Sequence, residues 1–63
     1  MSIEFNLQGL RSADDVNALT TALIMLDGVE DVEVAQHWGA VTGRVDRRTV
    51  IAAVEKAGFK VTG

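Results

Sequence analysis

Two adjacent aspartates and the single histidine have the clearest metal-binding chemistry in the chain. Asp14 and Asp15 stand together near the start of a helical pattern, and His37 follows a strand pattern. Carboxylate and imidazole groups can hold a borderline divalent ion such as Zn²⁺. Adjacent side chains on a helix diverge by about 100°, and His37 belongs to a different hairpin. We therefore expect a solvent-exposed histidine and two helix-capping acids, and a weak divalent metal site is the alternative.

Three arginines, Arg44, Arg47 and Arg48, lie where a strand pattern meets the start of a helix. Arg47 and Arg48 fall in the first helical turn, where the helix dipole disfavours cations. Residues placed against a local preference can mark a binding patch for an acidic partner. The alternative is a solvated cluster in which Arg44 lies opposite an acid such as Glu33 on the neighbouring strand.

Catalytic chemistry is poorly represented. The chain has no cysteine and one histidine, and it contains neither a glycine-rich phosphate loop nor a nucleophile elbow. We therefore expect no enzyme. Nine acidic residues against six basic ones give a net charge of −3, which disfavours nucleic acid as a partner. Without cysteine, disulfides and thiolate metal sites are both excluded.

Length and composition predict one ordered domain over residues 1–63. The chain is 48% hydrophobic and 24% charged, which is ordinary for a globular protein. Its first residues lack the basic start and apolar run of a signal peptide, and no apolar stretch approaches the roughly 20 residues of a membrane span. We expect a cytoplasmic protein without membrane insertion, either a monomer or a weak homo-oligomer that associates through strand edges.

The first half of the chain has the pattern of a strand followed by a helix. Period-two alternation predicts a half-buried strand at Ile3, Phe5 and Leu7. Ser12 fits a helix N-cap with an acid, Asp15, three residues later. Apolar residues then recur at helical spacing up to a C-terminal stop at Gly28; they are Val16, Leu19, Leu23 and Leu26.

The second half repeats the pattern with an extra strand. Val32 and Val34 predict a strand running to about His37, followed by a turn at Trp38-Gly39. A third strand carries Val41, Gly43 and Val45. Asp46 caps a helix that ends at Gly58, with an inner face of Val50, Ile51, Val54 and Ala57. Phe59 and Val61 flank Lys60 in a short last strand.

The resulting order, βαββαβ, predicts an α+β domain of the ferredoxin-like type. Two right-handed crossovers give a four-stranded antiparallel sheet with both helices on one face. Loss of Phe5, Leu23 or Phe59 should be costly, because a large-to-small core change typically costs about 2–5 kcal/mol.

Three segments together resemble the heavy-metal-associated domain, the family of copper chaperones and of the N-terminal modules of metal-pumping ATPases. They are Gly9-Leu10 before the first helix, Leu26 to Val34 after it, and Glu55 to Phe59 near the end. The family's metal loop reads Gly-Met-x-Cys-x-x-Cys. In this chain Leu10 occupies the methionine position, and Ser12 and Asp15 occupy the two cysteine positions. Soft metals select soft sulfur ligands, so we expect no bound thiophilic metal and no other cofactor.

The resemblance also implies a protein-docking surface. In the family, partners dock at the metal loop, the first helix and the loop before the last strand. Carried over position by position, that surface comprises Leu10, Arg11, Ser12, Asp14, Asp15, Lys56 and Phe59. We therefore expect a non-catalytic binding module that acts through protein contacts in metal homeostasis.

Trp38 and the outer sheet face bear on other partners. By parity Trp38 lies on the side of Val32 and Val34 and covers the end of the core; alternatively it is exposed at the hairpin tip, where it can anchor a partner. The outer face is expected to show Glu4, Asn6, Glu33, Ala35, Thr42, Arg44, Lys60 and Thr62. RNA-recognition motifs place stacking aromatics on that face, so their absence here disfavours RNA.

Overall fold

The elements of the computed structural model follow the predicted order. The structure describes residues 2–63. The strands and helices are β1 (Ser2–Gln8), α1 (Ala13–Ile24), β2 (Val29–Val34), β3 (Trp38–Gly43), α2 (Arg47–Lys56) and β4 (Lys60–Val61). Neither α1, with 12 residues, nor α2, with 10, has the length and apolar character needed to cross a membrane, and residues 2–63 hold no other helix that does.

The sheet has the order β2-β3-β1-β4, and every neighbouring pair is antiparallel. β1 and β3 are central: Phe5 pairs with Gly39, and Leu7 pairs with Val61 on the other side. Pairing continues beyond β4, where the N–H of Asn6 donates to the carbonyl of Gly63 at 2.9 Å. This arrangement confirms the predicted ferredoxin-like fold.

One hydrophobic core joins the sheet to both helices, which places α1 and α2 on the same face. Its buried members are Phe5, Leu7, Leu10, Leu19, Leu23, Val41, Val50 and Val54. The ring of Phe5 packs directly against Gly39. A Cβ on Gly39 would lie 2.7 Å from Phe5 Cε2, so the core needs glycine at this position.

The hairpin between β2 and β3 differs from the prediction. β2 ends at Val34 rather than near His37, and Trp38 and Gly39 belong to β3. The turn consists of Gln36 and His37, closed by an N–H of Ala35 that donates to the carbonyl of Trp38 at 2.7 Å. Among residues 2–63, only glycines have positive φ. This turn therefore does not need glycine, and the glycine that suggested it serves core packing.

Because the turn lies two residues earlier than predicted, Trp38 lies on the outer face of the sheet. Gly39 and Val41 are buried opposite Val34 and Val32, so Trp38 points the other way and pairs with exposed Asn6. Its side chain is 36% exposed. The prediction that Trp38 shares a side with Val32 and Val34 is wrong, and so is the prediction of an outer face without aromatic residues.

Smaller differences occur at element ends. β3 stops at Gly43, so Val45 lies outside the strand although it packs against the core. Register pairs Glu33 with Ala40, which contradicts a cross-strand pairing of Glu33 with Arg44. Ala57 is exposed after the end of α2 rather than on its inner face.

The two helices end differently. α1 stops at Ile24, ahead of the predicted end, and a turn leads from Met25 to Gly28, whose φ is +89°. α2 ends at Lys56, and Gly58, the predicted stop, follows the C-cap Ala57 with a φ of +98°. The N–H groups of Gly58 and Phe59 donate to the carbonyls of Glu55 and Val54 at 3.0 and 3.1 Å. This bonding pattern is a Schellman motif, which satisfies two carbonyls at the end of a helix.

Candidate functional site

The loop between β1 and α1, residues 9–12, is the segment that the resemblance aligns with the start of the family's metal loop. Gly9 has a φ of +99°, a conformation that glycine adopts without steric cost. A Cβ at Gly9 would lie 3.8 Å from Phe59 Cδ1. The loop therefore lies against the segment between α2 and β4, which brings together two of the three regions in the predicted docking surface.

Ser12 and Asp15 cap α1. Ser12 Oγ accepts the N–H of Asp15 at 3.4 Å, and Asp15 Oδ2 accepts the N–H of Arg11 at 2.9 Å. The side-chain bonds run in both directions, as in a capping box, except that the second reaches the residue before the N-cap. The predicted N-cap is confirmed. The side chains at the two cysteine positions are thus engaged in holding the start of the helix.

Leu10 does not belong to the docking surface. Its side chain is only 3% exposed and packs in the core, so its assignment to a partner-binding surface is wrong. The resemblance matches Leu10 to a position in the family's sequence, but it does not determine where the side chain points. An apolar leucine side chain is buried in the core instead. The Leu10 carbonyl accepts Gln36 Nε2 at 3.5 Å, so the β2–β3 turn lies against this loop.

The other residues of the predicted surface divide between two places. Arg11 and Ser12 are exposed and line a cleft of about 190 Å³ with Ala13, Val16 and Gln36. Lys56 instead lines a separate cleft of about 340 Å³, together with Ala22, Leu26, Ala53 and Ala57. Asp14 is exposed and follows Ala13, which lines the first cleft. Asp15 and Phe59 are half-buried.

Gln36 is a member of this site that sequence reasoning missed. The misplaced turn put residue 36 inside a strand, far from the loop after β1. A two-residue turn at Gln36 and His37 instead directs the Gln36 amide to the Leu10 carbonyl. No property of glutamine itself signals this contact, since it depends on how the hairpin packs.

The aspartates and the histidine are not assembled into a metal centre. Within residues 2–63 no group of three or more His, Cys, Asp or Glu side chains could hold a metal ion. His37 contributes its backbone to the sheet, where its carbonyl accepts the N–H of Leu7 at 2.9 Å. Asp14 and Asp15 remain at the start of α1, where a negative charge is favoured by the helix dipole.

The second helix start is built like the first and carries the basic residues. Asp46 Oδ1 accepts the N–H of Thr49 at 2.8 Å, which confirms the predicted N-cap. Hydrogen bonding from Thr49, through its side chain and backbone, holds the pKa of Asp46 below its ordinary value of 3.8, and the charge of Arg48 acts in the same direction. Arg47 Nη1 donates to the Glu4 carbonyl at 2.8 Å, which ties α2 to β1.

No protein-family model matches the chain, and neither does any curated protein. Several solved structures are similar to it. The copper-binding domain of HMA7, a P-type ATPase, is 25% identical, with a TM-score of 0.90 over 98% of this chain and 93% of that one. The CopZ metallochaperone is 22% identical, with a TM-score of 0.92 over 98% of this chain and 100% of that one. The N-terminal domain of PacS from Synechocystis PCC6803 is 23% identical, with a TM-score of 0.90 over 98% and 94%.

These similarities confirm the predicted resemblance. The chain has the fold of copper-binding heavy-metal-associated domains and metallochaperones, over nearly its whole length. It differs from the family pattern in having no cysteine anywhere. The loop that carries the two ligands in the family is, in this chain, a hydrogen-bonded helix cap.

Proposed function

We propose that this chain is a non-catalytic protein-docking module, built on a metallochaperone fold, that does not carry thiophilic metal. The observation that carries the proposal is the reciprocal cap of α1. Ser12 and Asp15 stand at the two ligand positions and bond to the backbone at 3.4 and 2.9 Å. Oxygen groups committed in this way are poor substitutes for two thiolates, because Cu(I) prefers sulfur ligands.

The docking surface of this proposal, which we call the cap surface, consists of Arg11, Ser12, Asp14 and Gln36 with the exposed part of Phe59. The first four are exposed, and the loop that carries Arg11 and Ser12 lies against Phe59 at Gly9. The surface combines both charge signs with a partly exposed aromatic ring, a composition suited to a reversible protein contact. We propose that the module acts in metal homeostasis in the cytoplasm; the copper-binding domain and the metallochaperone among its structural neighbours support the metal-homeostasis part of this proposal.

A metal titration tests the first half of the proposal. Cu(I) and then Zn²⁺ are added to the ¹⁵N-labelled apo protein at neutral pH, and amide shifts are followed by NMR. We expect the amides of residues 9–16 to remain unchanged with both ions. Saturable shifts confined to that segment would mean that Asp14 and Asp15 have taken over the site. The alternative function, weak divalent metal binding or sensing with help from His37, would then be correct.

A charge reversal tests the second half. Asp14 is preferable to Asp15 for this purpose, because Asp15 holds the Arg11 N–H. Asp14→Lys is compared with Asp31→Lys, which reverses an exposed acid on β2. Asp31→Lys should unfold within about 0.5 kcal/mol of the wild type, as surface changes usually do. Asp14→Lys should cost about 1 kcal/mol, because it reverses a favourable charge in the first turn of α1, and should remain folded.

The readout is capture of partner proteins from an extract of the source organism, quantified by mass spectrometry. A partner of the cap surface is retained by the wild type and by Asp31→Lys but lost with Asp14→Lys. Equal retention by all three proteins would rule out docking at this surface.

A further inference from the structure

A second charged surface lies where β3 passes into α2. Three arginines, Arg44, Arg47 and Arg48, are exposed there; we call this group the basic corner. These residues are three of the six basic side chains in a chain whose net charge is −3. Half of the basic residues are therefore concentrated in five consecutive positions, 44–48, although the net charge of the chain is negative.

Two apolar clefts flank the basic corner. One, of about 550 Å³, is lined by Ile3, Gly43 and Val45 together with Arg44, Asp46 and Arg47. The other, of about 420 Å³, is lined by Ile51 and Ala52 together with Arg47, Arg48 and Glu55. Arg47 borders both. Each cleft therefore offers aliphatic side chains beside a guanidinium group.

Arg47 is held in place between the two clefts. Its Nη1 donates to the Glu4 carbonyl at 2.8 Å, which uses one of the five N–H groups of a guanidinium. The side chain is exposed, so further N–H groups face outward. A guanidinium fixed by one bond loses little freedom when it binds a carboxylate, and its planar fork suits carboxylate oxygens.

The position of these arginines is costly for the helix itself. Arg47 and Arg48 lie in the first turn of α2, where the N–H dipoles already concentrate positive charge. Asp46 caps the same turn, and Arg48 helps to lower its pKa. The strand register places Ala40, not Arg44, opposite Glu33. The bond from Arg47 to Glu4 and the attraction of Arg48 to Asp46 offset part of this cost, whereas the register does not place Glu33 opposite Arg44.

The basic corner and the cap surface lie at opposite ends of β1. The clefts of the corner include Ile3, near the start of the strand, and the cap surface begins after Gly9. Six residues of extended chain span about 20 Å. A ligand at the corner would therefore leave the start of α1 free.

We propose that the basic corner binds an acidic peptide segment that also carries aliphatic side chains. Its carboxylates pair with Arg44, Arg47 and Arg48, and its aliphatic groups enter the clefts beside Ile3 and Ile51. Nucleic acid suits the surface less well, because phosphate binding gains nothing from the aliphatic lining and the net charge of −3 opposes a polyanion.

The test uses fluorescein-labelled peptides and fluorescence anisotropy. The probe is acetyl-EELLEELLEE-amide, with EESSEESSEE and KKLLKKLLKK as controls for its aliphatic and acidic parts. We expect saturable binding of the probe, weaker binding of the serine peptide and none of the lysine peptide. Equal affinity for the probe and the serine peptide, or no binding of the probe, would overturn the proposal.

Protein variants locate the binding. Arg44→Glu/Arg48→Glu leaves Arg47 and its bond to Glu4 intact, and Arg11→Glu is the matched control at the other end of β1. The double variant should lose at least about fivefold in affinity, the factor that corresponds to one exposed ion pair of 1 kcal/mol. Arg11→Glu should bind like the wild type. Affinity that is equal in all three proteins contradicts the assignment.

Amide NMR distinguishes the other possible occupants. With the probe, shifts should be confined to residues 44–52 and to Ile3 and Glu4. Shifts in these residues that follow protein concentration without any peptide would indicate a second copy of the chain. Tighter binding of single-stranded oligouridylate than of the probe would indicate nucleic acid. Either result overturns the peptide proposal.

Discussion

At the scale of single residues, the two helix caps use the same chemistry with different consequences. Ser12 caps α1 through a hydroxyl, and Asp46 caps α2 through a carboxylate. Both N-caps are predictable from sequence, because Ser and Asp are preferred there and each precedes an apolar periodic run. The carboxylate of Asp46 is the capping group whose pKa is lowered in the folded protein.

Asp46 should make stability depend on pH in the acid range. Its pKa is below 3.8 in the folded protein, so its contribution is complete above about 3.8 and is lost as pH falls through the lower folded value. Asp46→Asn keeps an acceptor oxygen but does not titrate, so it should lose less stability on acidification than the wild type. Urea unfolding at about pH 7 and about pH 3 measures the difference. Parallel losses in both proteins would contradict this role.

Leu10 was predicted to lie on an exposed docking surface, but its side chain is part of the core. Leu10→Ala should destabilise the domain by about 2–5 kcal/mol, the usual cost of truncating a buried leucine. The neighbouring Arg11→Ala, at an exposed side chain, should change stability by less than about 0.5 kcal/mol. Chemical denaturation of both variants checks the comparison. A stable Leu10→Ala that fails to bind a partner would return Leu10 to the docking surface.

At the scale of elements, helices and strands were predictable but the turns between them were less so. Alternation at Ile3, Phe5 and Leu7 and the helical spacing from Val16 identify β1 and α1, because those periods are set by backbone geometry. The β2–β3 turn was predicted at Trp38-Gly39, two residues later in the chain than its observed position at Gln36 and His37. Glycine is a strong turn signal, yet Gly39 is required by the ring of Phe5, a tertiary contact that local sequence does not show.

Two glycines with similar backbone angles should differ in tolerance to alanine. Gly58 has a φ of +98° with no atom within 4 Å of an added Cβ, whereas at Gly28, with a φ of +89°, that Cβ would lie 2.5 Å from the Arg44 carbonyl oxygen. Gly58→Ala should therefore cost only the left-handed backbone strain, about 1–2 kcal/mol. Gly28→Ala should cost more, because the Arg44 backbone must also move. Equal unfolding free energies for the two variants would show that the steric contact relaxes freely.

At the scale of the whole molecule, the order of strands follows from general rules of chain connection. Two right-handed crossovers place β1 and β3 in the centre, and the similarity to the CopZ metallochaperone at a TM-score of 0.92 agrees with that topology. The site was less predictable. Capping residues follow local rules, whereas Gln36 reaches Leu10 and Arg47 reaches Glu4 only through packing of distant segments.

The strand order predicts an uneven pattern of amide hydrogen exchange. Amides of β1 and β3, bonded between two neighbours, should be the slowest to exchange, because they open only when most of the domain unfolds. Amides on the free edge of β2 and in the two-residue β4 should exchange much faster. NMR-detected exchange measures each amide separately. Comparable protection in β4 and β1 would contradict the edge position of β4.

Trp38 gives the molecule a built-in optical reporter. It is the only tryptophan in a chain without tyrosine, so indole emission arises from one point on the outer face of the sheet, beside Asn6. A partner that covers that face should shift the emission to the blue and shield the ring from acrylamide. A peptide at Arg44 and Arg48 lies beyond the far end of β3 and should leave the spectrum unchanged. The emission maximum of the unlabelled protein can therefore show whether a partner covers the outer face of the sheet.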